Sequence, residues 1–237
     1  HTVEAIERLY PERLAEHIER LAHHAVSGEL WDKAVAFLRQ AGTKAVQRSA
    51  AREALGFFDT AVAALRYLPE GHDKTAQAID LRFDLQKVHQ MLGDLDRMIE
   101  RLREAETLAV ALGDQRRLGR LTAHMARYYW WTGSPDLAVD ACRRAQGLAA
   151  QLGDLPLEIM AGYHLGLTYL HYLGGFRHAI EAFEWTLTRL DGQSPGELFN
   201  LPFLPAAMCR IFQGWAYAEL GEFSRGLVPA EDGIRIA

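Results

Sequence analysis

The sequence repeats itself, and this repeat is the feature that most narrows the fold. Ala105–Asp114 and Ala145–Asp154 carry Ala, Leu, Ala, Leu, Gly and Asp at matching positions, 40 residues apart. A second series of glycines recurs at steps of 40, 41 and 47 residues: Gly93, Gly133, Gly174 and Gly221. Because the units of a repeat array pack mainly on their neighbours, a period of this length indicates a solenoid built from helical hairpins.

The residues around these glycines predict where helices begin and end. A glycine just past a helix adopts the left-handed conformation that closes the last carbonyls, and a following Asp or Ser caps the next helix. Apolar residues between the turns recur at steps of three and four, while no sustained alternation predicts a strand. We therefore predict an all-α fold, a right-handed α-solenoid with a period of about 40 residues. The predicted helices lie near 11–27, 30–48, 51–68, 74–92, 94–112, 114–132, 135–152, 155–173, 176–190, 205–220 and 222–237.

Small and aromatic residues occupy regular places in each hairpin, and this pattern resembles the tetratricopeptide repeat. In one hairpin the series is Gly166, Tyr169, Gly174, Phe176, Ala179 and Phe183. Small residues let neighbouring helices approach closely, and aromatic rings fill the gaps between repeats. The period is longer than the usual 34 residues of that family, so we expect longer helices.

The N-terminal third resembles one segment of bacterial multidomain signalling proteins. Leu9–His17, Leu21–His24 and Trp31–Gly42 are similar to the stretch that follows the AAA-type (STAND-like) ATPase module in proteins that join a nucleotidyl cyclase domain to tetratricopeptide repeats. The resemblance implies a helical segment over 1–28, a repeat array over 29–237, and a role in signal transduction. The chain begins at His1 rather than Met, so we expect the ATPase module upstream.

Composition argues against several classes of partner. The net charge of −5 over 237 residues leaves no basic footprint for nucleic acid. No stretch approaches the ~18 consecutive apolar residues of a membrane span, and no signal-peptide pattern is present. Cys142 and Cys209 lie far apart and form no CxxC motif, which is typical of reduced core cysteines in a cytoplasmic protein.

The sequence contains no recognisable catalytic, metal or cofactor motif. No HExxH, GxSxG or phosphate-loop pattern occurs, so we expect a non-catalytic chain without a cofactor. His17, His23 and His24 are the best metal candidates, but no acidic or cysteine ligand follows His17 or His24 at three or four residues. We interpret these histidines as packed between the first helices rather than bound to a metal.

Four consecutive aromatic residues, Tyr128–Trp131, form the most unusual run in the chain. At ~100° per residue they spread over most of a helix circumference, so at least one ring should face a groove. The first helix of each tetratricopeptide hairpin lines the concave surface, and on this register the predicted groove residues are Arg120, Arg127, Trp130, Trp131, Tyr163, His171 and Trp215. A purely structural role for the rings stays open, because solenoid interiors use aromatic residues freely. The loop Asp191–Leu204, with apolar Leu198, Phe199, Leu201 and Phe203, is expected to cover or share the groove.

Three functions are open on these observations. An aromatic groove with a few charges suits the capture of a protein or peptide, and the partner could be the ATPase domain of the parent chain itself. The same groove would suit a small-ligand sensor that holds a metabolite by stacking and hydrogen bonds. A helical enzyme is the weakest of the three, since no acid–base pair or metal set recurs.

Overall fold

The computed structural model describes residues 2–194, 196–199, 201 and 203–237, and the part it describes contains helices and no strand. The first six helices are α1 (Thr2–Leu9), α2 (Ile18–Ser27), α3 (Trp31–Gln47), α4 (Ala51–Ala64), α5 (His72–Leu92) and α6 (Leu95–Leu112). The next six are α7 (Gln115–Trp131), α8 (Pro135–Leu152), α9 (Leu155–His171), α10 (Phe176–Leu190), α11 (Pro205–Glu219) and α12 (Phe223–Ile236). Short 3-10 segments at Pro11–His17 and Leu65–Tyr67 complete the helical part. The predicted all-α class is confirmed.

The N-terminal end departs from the predicted pattern. Residues 2–9 form a separate helix inside the expected helical segment 1–28, although the predicted helices began only at residue 11; its Val3 and Ile6 are buried. The predicted helix over 11–27 is divided, because its first half is the 3-10 segment and Arg13 has non-helical angles of φ −128° and ψ 23°. Proline at the first position of a helix fits both an α-helix and a 3-10 turn, because it fixes its own φ and removes only one backbone donor. The sequence around Pro11 therefore did not distinguish the two kinds of helix.

The chain divides into two compact units, one ending at Asp114 and the other formed by Gln115–Ala237. In the first unit Val3, Ile18, Ala41 and Phe58 belong to one buried cluster, so α1 and α2 share a core with α3 and α4. The predicted division between residues 28 and 29 therefore lies inside a continuous core. Whether it separates two functional domains stays a prediction.

Two turns between helices follow the predicted chemistry of a glycine and a capping acid, whereas Ser134 at the start of α8 makes no side-chain capping bond. Gly93 has φ 72°, the left-handed value expected of a residue that closes a helix. The next residue, Asp94, caps α6 by accepting a hydrogen bond from the backbone N–H of Arg97 at 3.2 Å. Asp154, which matches Asp114 in the 40-residue repeat, caps α9 by accepting a hydrogen bond from the backbone N–H of Leu157 at 3.1 Å. The same glycine and acid signal therefore ends one helix and starts the next.

Close contact between α9 and α10 organises the second unit. A Cβ atom at Gly166 would lie closer than 3.0 Å to three ring atoms of Phe183, and one at Gly162 would meet Thr186 and Trp185 as closely. Phe183 is fully buried in a cluster with Cys209 and Tyr217 of α11. The glycines therefore bring two helix backbones together around an aromatic ring.

Alanine substitutions at two helical glycines should act in opposite directions. Gly166→Ala should lower the free energy of unfolding by about 1–3 kcal/mol, because its methyl group overlaps the ring of Phe183. Gly147→Ala in α8 is the matched control: no atom lies within 4 Å of its Cβ position, so better helix propensity should raise stability by about 0.5–1 kcal/mol. Urea unfolding of the two variants measures both changes. Equal stabilisation by the two substitutions would contradict the close packing.

Candidate functional site

Three of the predicted groove residues meet edge to face across three helices of the second unit. Trp130 at the end of α7 contacts His171 at the end of α9, with ring centroids 5.6 Å apart. His171 contacts Trp215 of α11 at 5.3 Å. We call Trp130, His171 and Trp215 the aromatic ladder. Its rings come from the first helices of three successive hairpins, as the repeat register predicted.

Two further aromatic residues extend the ladder and were not predicted. Tyr172 contacts Trp130 at 6.3 Å between centroids. Phe212 contacts His171 at 5.9 Å and stacks on Trp215 at 6.1 Å. A signal for Phe212 was present in the sequence: it precedes Trp215 by three residues, so the two side chains are neighbours on the surface of α11. Tyr172 follows His171 directly, at the C-terminal end of α9.

The ladder presents exposed aromatic surface next to hydrogen-bonding groups. Trp215 is 45% exposed and Tyr172 44% exposed, while Leu173 adds an exposed aliphatic side chain. The indole N–H of Trp215 donates to Glu219 at 2.8 Å. The Nδ1 of His171 lies 3.0 Å from the carbonyl of Leu167. Because a carbonyl only accepts, Nδ1 is the donor in this bond, and in the neutral imidazole Nε2 is then the acceptor.

Trp131 and Arg127 form the cationic edge of the predicted groove. The guanidinium of Arg127 lies over the Trp131 ring at 5.1 Å, a cation–π geometry, and its Nη2 lies 3.0 Å from His124 Nδ1. Trp131 is 38% exposed, whereas Arg127 is half-buried and this burial lowers the pKa of its guanidinium. Arg120 is also exposed and lies seven residues earlier on α7. Two turns of one helix therefore carry both predicted arginines.

Tyr163 is not a surface residue, which corrects its predicted place in the groove. It is only 4% exposed, and its ring contacts Phe203 at 4.8 Å and Phe212 at 6.1 Å. Burial raises the pKa of its phenol well above the ordinary value. The glycines at 162 and 166 bring this part of α9 into the core, and the neighbouring tyrosine is enclosed with them. Tyr163 is thus a buried ring that supports the ladder through its contact with Phe212.

The connection between α10 and α11 contributes apolar side chains to the core. Phe199 and Leu201 pack in a cluster with Ile159, and Phe203 packs on Tyr163. Pro195, Asn200 and Pro202 lie outside the described residues. Phe199, Leu201 and Phe203 therefore cover buried side chains of α9, whereas Leu198 is 48% exposed. Whether this loop covers or shares the groove stays a prediction.

One buried histidine lies beneath the cationic edge. His164 is 6% exposed, and its Nδ1 has no hydrogen-bond partner. Burial, together with the positive charge of Arg127, lowers the pKa of His164 to about 3. His164 is therefore neutral near pH 7, and it is held beside a cation rather than an acid that could orient it for catalysis.

The described residues offer no metal-binding arrangement and no membrane segment. No group of three or more His, Cys, Asp or Glu in residues 2–194, 196–199, 201 and 203–237 is placed to hold a metal ion. His17 instead contacts the ring of Tyr10 at 4.8 Å, and His23 contacts His24 at 5.5 Å. No helix in the same part of the chain is long and apolar enough to cross a membrane. Burial also raises the pKa of the Cys142 thiol to about 12, which makes it a poor nucleophile.

Alanine substitution should separate the supporting ring from the exposed ring. Tyr163→Ala should lower the free energy of unfolding by about 3–5 kcal/mol, because it empties a buried aromatic position. Trp215→Ala removes a ring that is nearly half exposed and should cost about 1 kcal/mol or less. Guanidinium unfolding of both variants gives the comparison. A larger loss for Trp215→Ala would show that this ring belongs to the core.

His164 should make stability depend on pH in the acid range. In the unfolded chain this side chain binds a proton below about 6.5, whereas the fold lowers its pKa to about 3. The unfolded state therefore binds more protons between these values, and stability should fall as pH drops through them, by at most ~1.4 kcal/mol per pH unit. His164→Gln should flatten this dependence, measured as the difference between unfolding free energies at pH 7 and pH 5. An unchanged slope would mean that His164 is protonated in the folded state.

Comparison with known proteins establishes the fold of the chain. No family model matches it, and no curated protein matches it in sequence. BtubC from P. vanneervenii has a similar structure, with a TM-score of 0.74 at 16% identity over 100% of this chain and 91% of BtubC. The TPR-like repeats of a kinesin light chain of P. anserina give 0.65 at 15% identity, over 84% and 92%. A Rap conjugation gene regulator of the plasmid pLS20, solved in complex with the Phr* peptide, gives 0.64 at 14% identity over 89% of this chain and 55% of that one. The chain therefore has the fold of a tetratricopeptide-like helical repeat.

Proposed function

We propose that this chain is a non-catalytic interaction module that binds a protein or peptide on the aromatic ladder. The observation that carries the proposal is the unbroken contact from Trp130 through His171 to Trp215, which joins three successive hairpins into one surface. A binding surface formed by several repeats can recognise an extended partner segment, because each hairpin supplies one contact.

The chemistry of the ladder suits a protein partner. Tryptophan, tyrosine and arginine dominate the binding energy of protein interfaces, since they bury a large area and offer directed hydrogen bonds. The extended ladder exposes Trp215 and Tyr172, and the cationic edge adds the exposed Trp131 with the guanidinium of Arg127 over its ring. The acceptor nitrogen of His171 would receive a backbone or side-chain N–H from the partner.

Rigid support beneath the ladder favours binding. Phe212 contacts both His171 and the buried Tyr163, so the exposed rings rest on the packed core. Preorganised rings lose little conformational freedom when a partner binds, which leaves more of the contact energy for affinity. The peptide complex of the structurally similar Rap regulator supports a peptide as one class of partner.

The parent protein that we propose is a bacterial, cytoplasmic, multidomain signalling protein. The support is the resemblance of Leu9–His17, Leu21–His24 and Trp31–Gly42 to the segment that follows an ATPase module. In this proposal the ladder either recruits a separate protein or docks on the parent's own ATPase domain and holds it inactive.

Site-specific photocrosslinking in the bacterial parent protein tests the proposal. A benzophenone amino acid at position 215 should crosslink to a polypeptide, because this ring is 45% exposed on the ladder. The matched control is position 67 in the first unit, where Tyr67 is 52% exposed and lies outside the ladder. Mass spectrometry of the product distinguishes a separate partner from a peptide of the parent's ATPase domain. Trp215→Ala should then weaken the purified pair by at least about 30-fold, which corresponds to ~2 kcal/mol.

Two outcomes would contradict a protein partner. Equal crosslinking from positions 215 and 67 would show only random collision. An absence of polypeptide products, together with a raised melting temperature in the presence of a metabolite pool, would favour the small-ligand sensor, since a ligand that binds the folded state stabilises it by mass action.

A further inference from the structure

The α11 end of the aromatic ladder combines an exposed indole with a carboxylate. The indole N–H of Trp215 donates to Glu219 Oε1 at 2.8 Å. The two residues lie four apart on α11, so the ring and the carboxylate are neighbours on one side of the helix. Trp215 is 45% exposed and Glu219 is exposed as well. A partner can therefore contact both groups together.

The charge of Glu219 is not neutralised within the described part of the second unit. Its hydrogen bond comes from a neutral indole, and no described lysine, arginine or histidine forms an ion pair with it. Glu222, three residues later, is by contrast held by Arg177 and, at 2.7 Å, by Arg225. Since the indole bonds to Oε1 of Glu219, its Oε2 can accept from a donor of the partner.

The rings beside this carboxylate also favour positive charge. The faces of aromatic rings carry negative potential, so a cation over the face of a tryptophan is attracted to it. His171 and Phe212 pack on Trp215 at 5.3 Å and 6.1 Å between centroids and leave the rest of the ring exposed. The indole N–H is already bonded to Glu219, so it is not free to bind an anion. This end of the ladder therefore suits a cationic group that donates hydrogen bonds.

The cationic edge lies at the opposite end of the ladder. Arg127 is on α7 and Trp215 on α11, and α9 lies between them, since His171 contacts both Trp130 and Trp215. Two spacings between packed helix axes amount to roughly 16–20 Å. This separation exceeds the screening length of about 8 Å at physiological ionic strength, so Arg127 repels a cation at Trp215 only weakly. The two ends of the ladder thus differ in charge, which gives a bound segment a direction.

We propose that the α11 end of the ladder binds a basic side chain of the partner segment, with the cation on the exposed surface of Trp215 and an N–H donated to Glu219. This inference rests on the proposed function of the ladder and adds the chemical class of the partner, a segment that carries a basic residue. Arginine suits the site better than lysine, because a planar guanidinium can stack on the indole and donate to the carboxylate at the same time.

An NMR titration with three short peptides tests the charge preference. The peptides are acetylated and amidated pentapeptides of four alanines with arginine, citrulline or glutamate at the centre. Citrulline keeps the shape of arginine without its positive charge. The indole N–H signal of Trp215, assigned by its loss in Trp215→Phe, reports binding. The arginine peptide should bind at least about tenfold more tightly than the citrulline peptide, and the glutamate peptide should bind least.

Two charge-neutralising variants show whether Glu219 is the group that recognises the cation. Glu219→Gln keeps an oxygen that can accept from the indole but removes the charge, so it should weaken the arginine peptide at least about fivefold and leave the citrulline peptide unchanged. Glu181→Gln is the matched control, because Glu181 is an exposed carboxylate on α10, a helix without ladder residues. It should change neither affinity by more than about twofold. Melting curves of both variants check that they are folded.

The contrary outcomes separate this inference from the proposed function. A citrulline or glutamate peptide that binds as tightly as the arginine peptide would overturn the cation preference and leave the ladder as a peptide-binding surface. Equal weakening by Glu219→Gln and Glu181→Gln would also overturn it, because only the overall charge would then matter. A Trp215 signal that none of the three peptides shifts would overturn the basic-residue site, whereas crosslinking from position 215 decides the proposed function independently.

Discussion

The close approach of α9 to α10 is the contact on which the rest of the second unit depends. Only hydrogen at positions 162 and 166 leaves room for Thr186 and for the ring of Phe183. Because the backbones meet there, Tyr163 is enclosed and its ring supports Phe212. The C-terminal end of α9 then carries His171 to a position between α7 and α11, where it joins Trp130 to Trp215. The position of the exposed ladder thus depends on the buried contact between α9 and α10.

Much of this architecture was predictable because it depends on local signals. Helices α3 to α12 were predicted to within a few residues, and the turns before α6, α7, α8, α9, α10 and α12 each combine a left-handed glycine with a capping or helix-starting residue. The helix at residues 2–9 was missed because eight residues with two buried apolar side chains give too short a periodic signal. The kink at Arg13 was missed for a related reason: Pro11 permits both an α-helix and a 3-10 turn.

Site prediction was less complete, because exposure depends on tertiary packing. The register identified the helices that carry Trp130, His171 and Trp215, and these three rings do meet. It also placed Tyr163 on the surface, although glycines on both sides indicate close backbone contact, and that signal favoured burial. From the sequence, the aromatic rings of Tyr128–Trp131 could lie either in a groove or in the core. In the structure Tyr129 is buried and Trp131 is exposed. Whether any ladder residue contacts a partner stays a prediction.

Two surfaces of the second unit differ in chemistry. The ladder mixes rings with an indole N–H, an imidazole and a nearby guanidinium, so the proposed partner would be recognised through directed polar contacts as well as buried area. The exposed side chains of α12 at Phe223, Leu227 and Ile234 contain only carbon and hydrogen, so any contact with them would depend on shape and spacing. A polar-aromatic surface tolerates water when unoccupied, because its hydrogen-bonding groups remain solvated. The three apolar side chains Phe223, Leu227 and Ile234 are more than half exposed and make no hydrogen bond to water, so the physical tendency to cover them is greater.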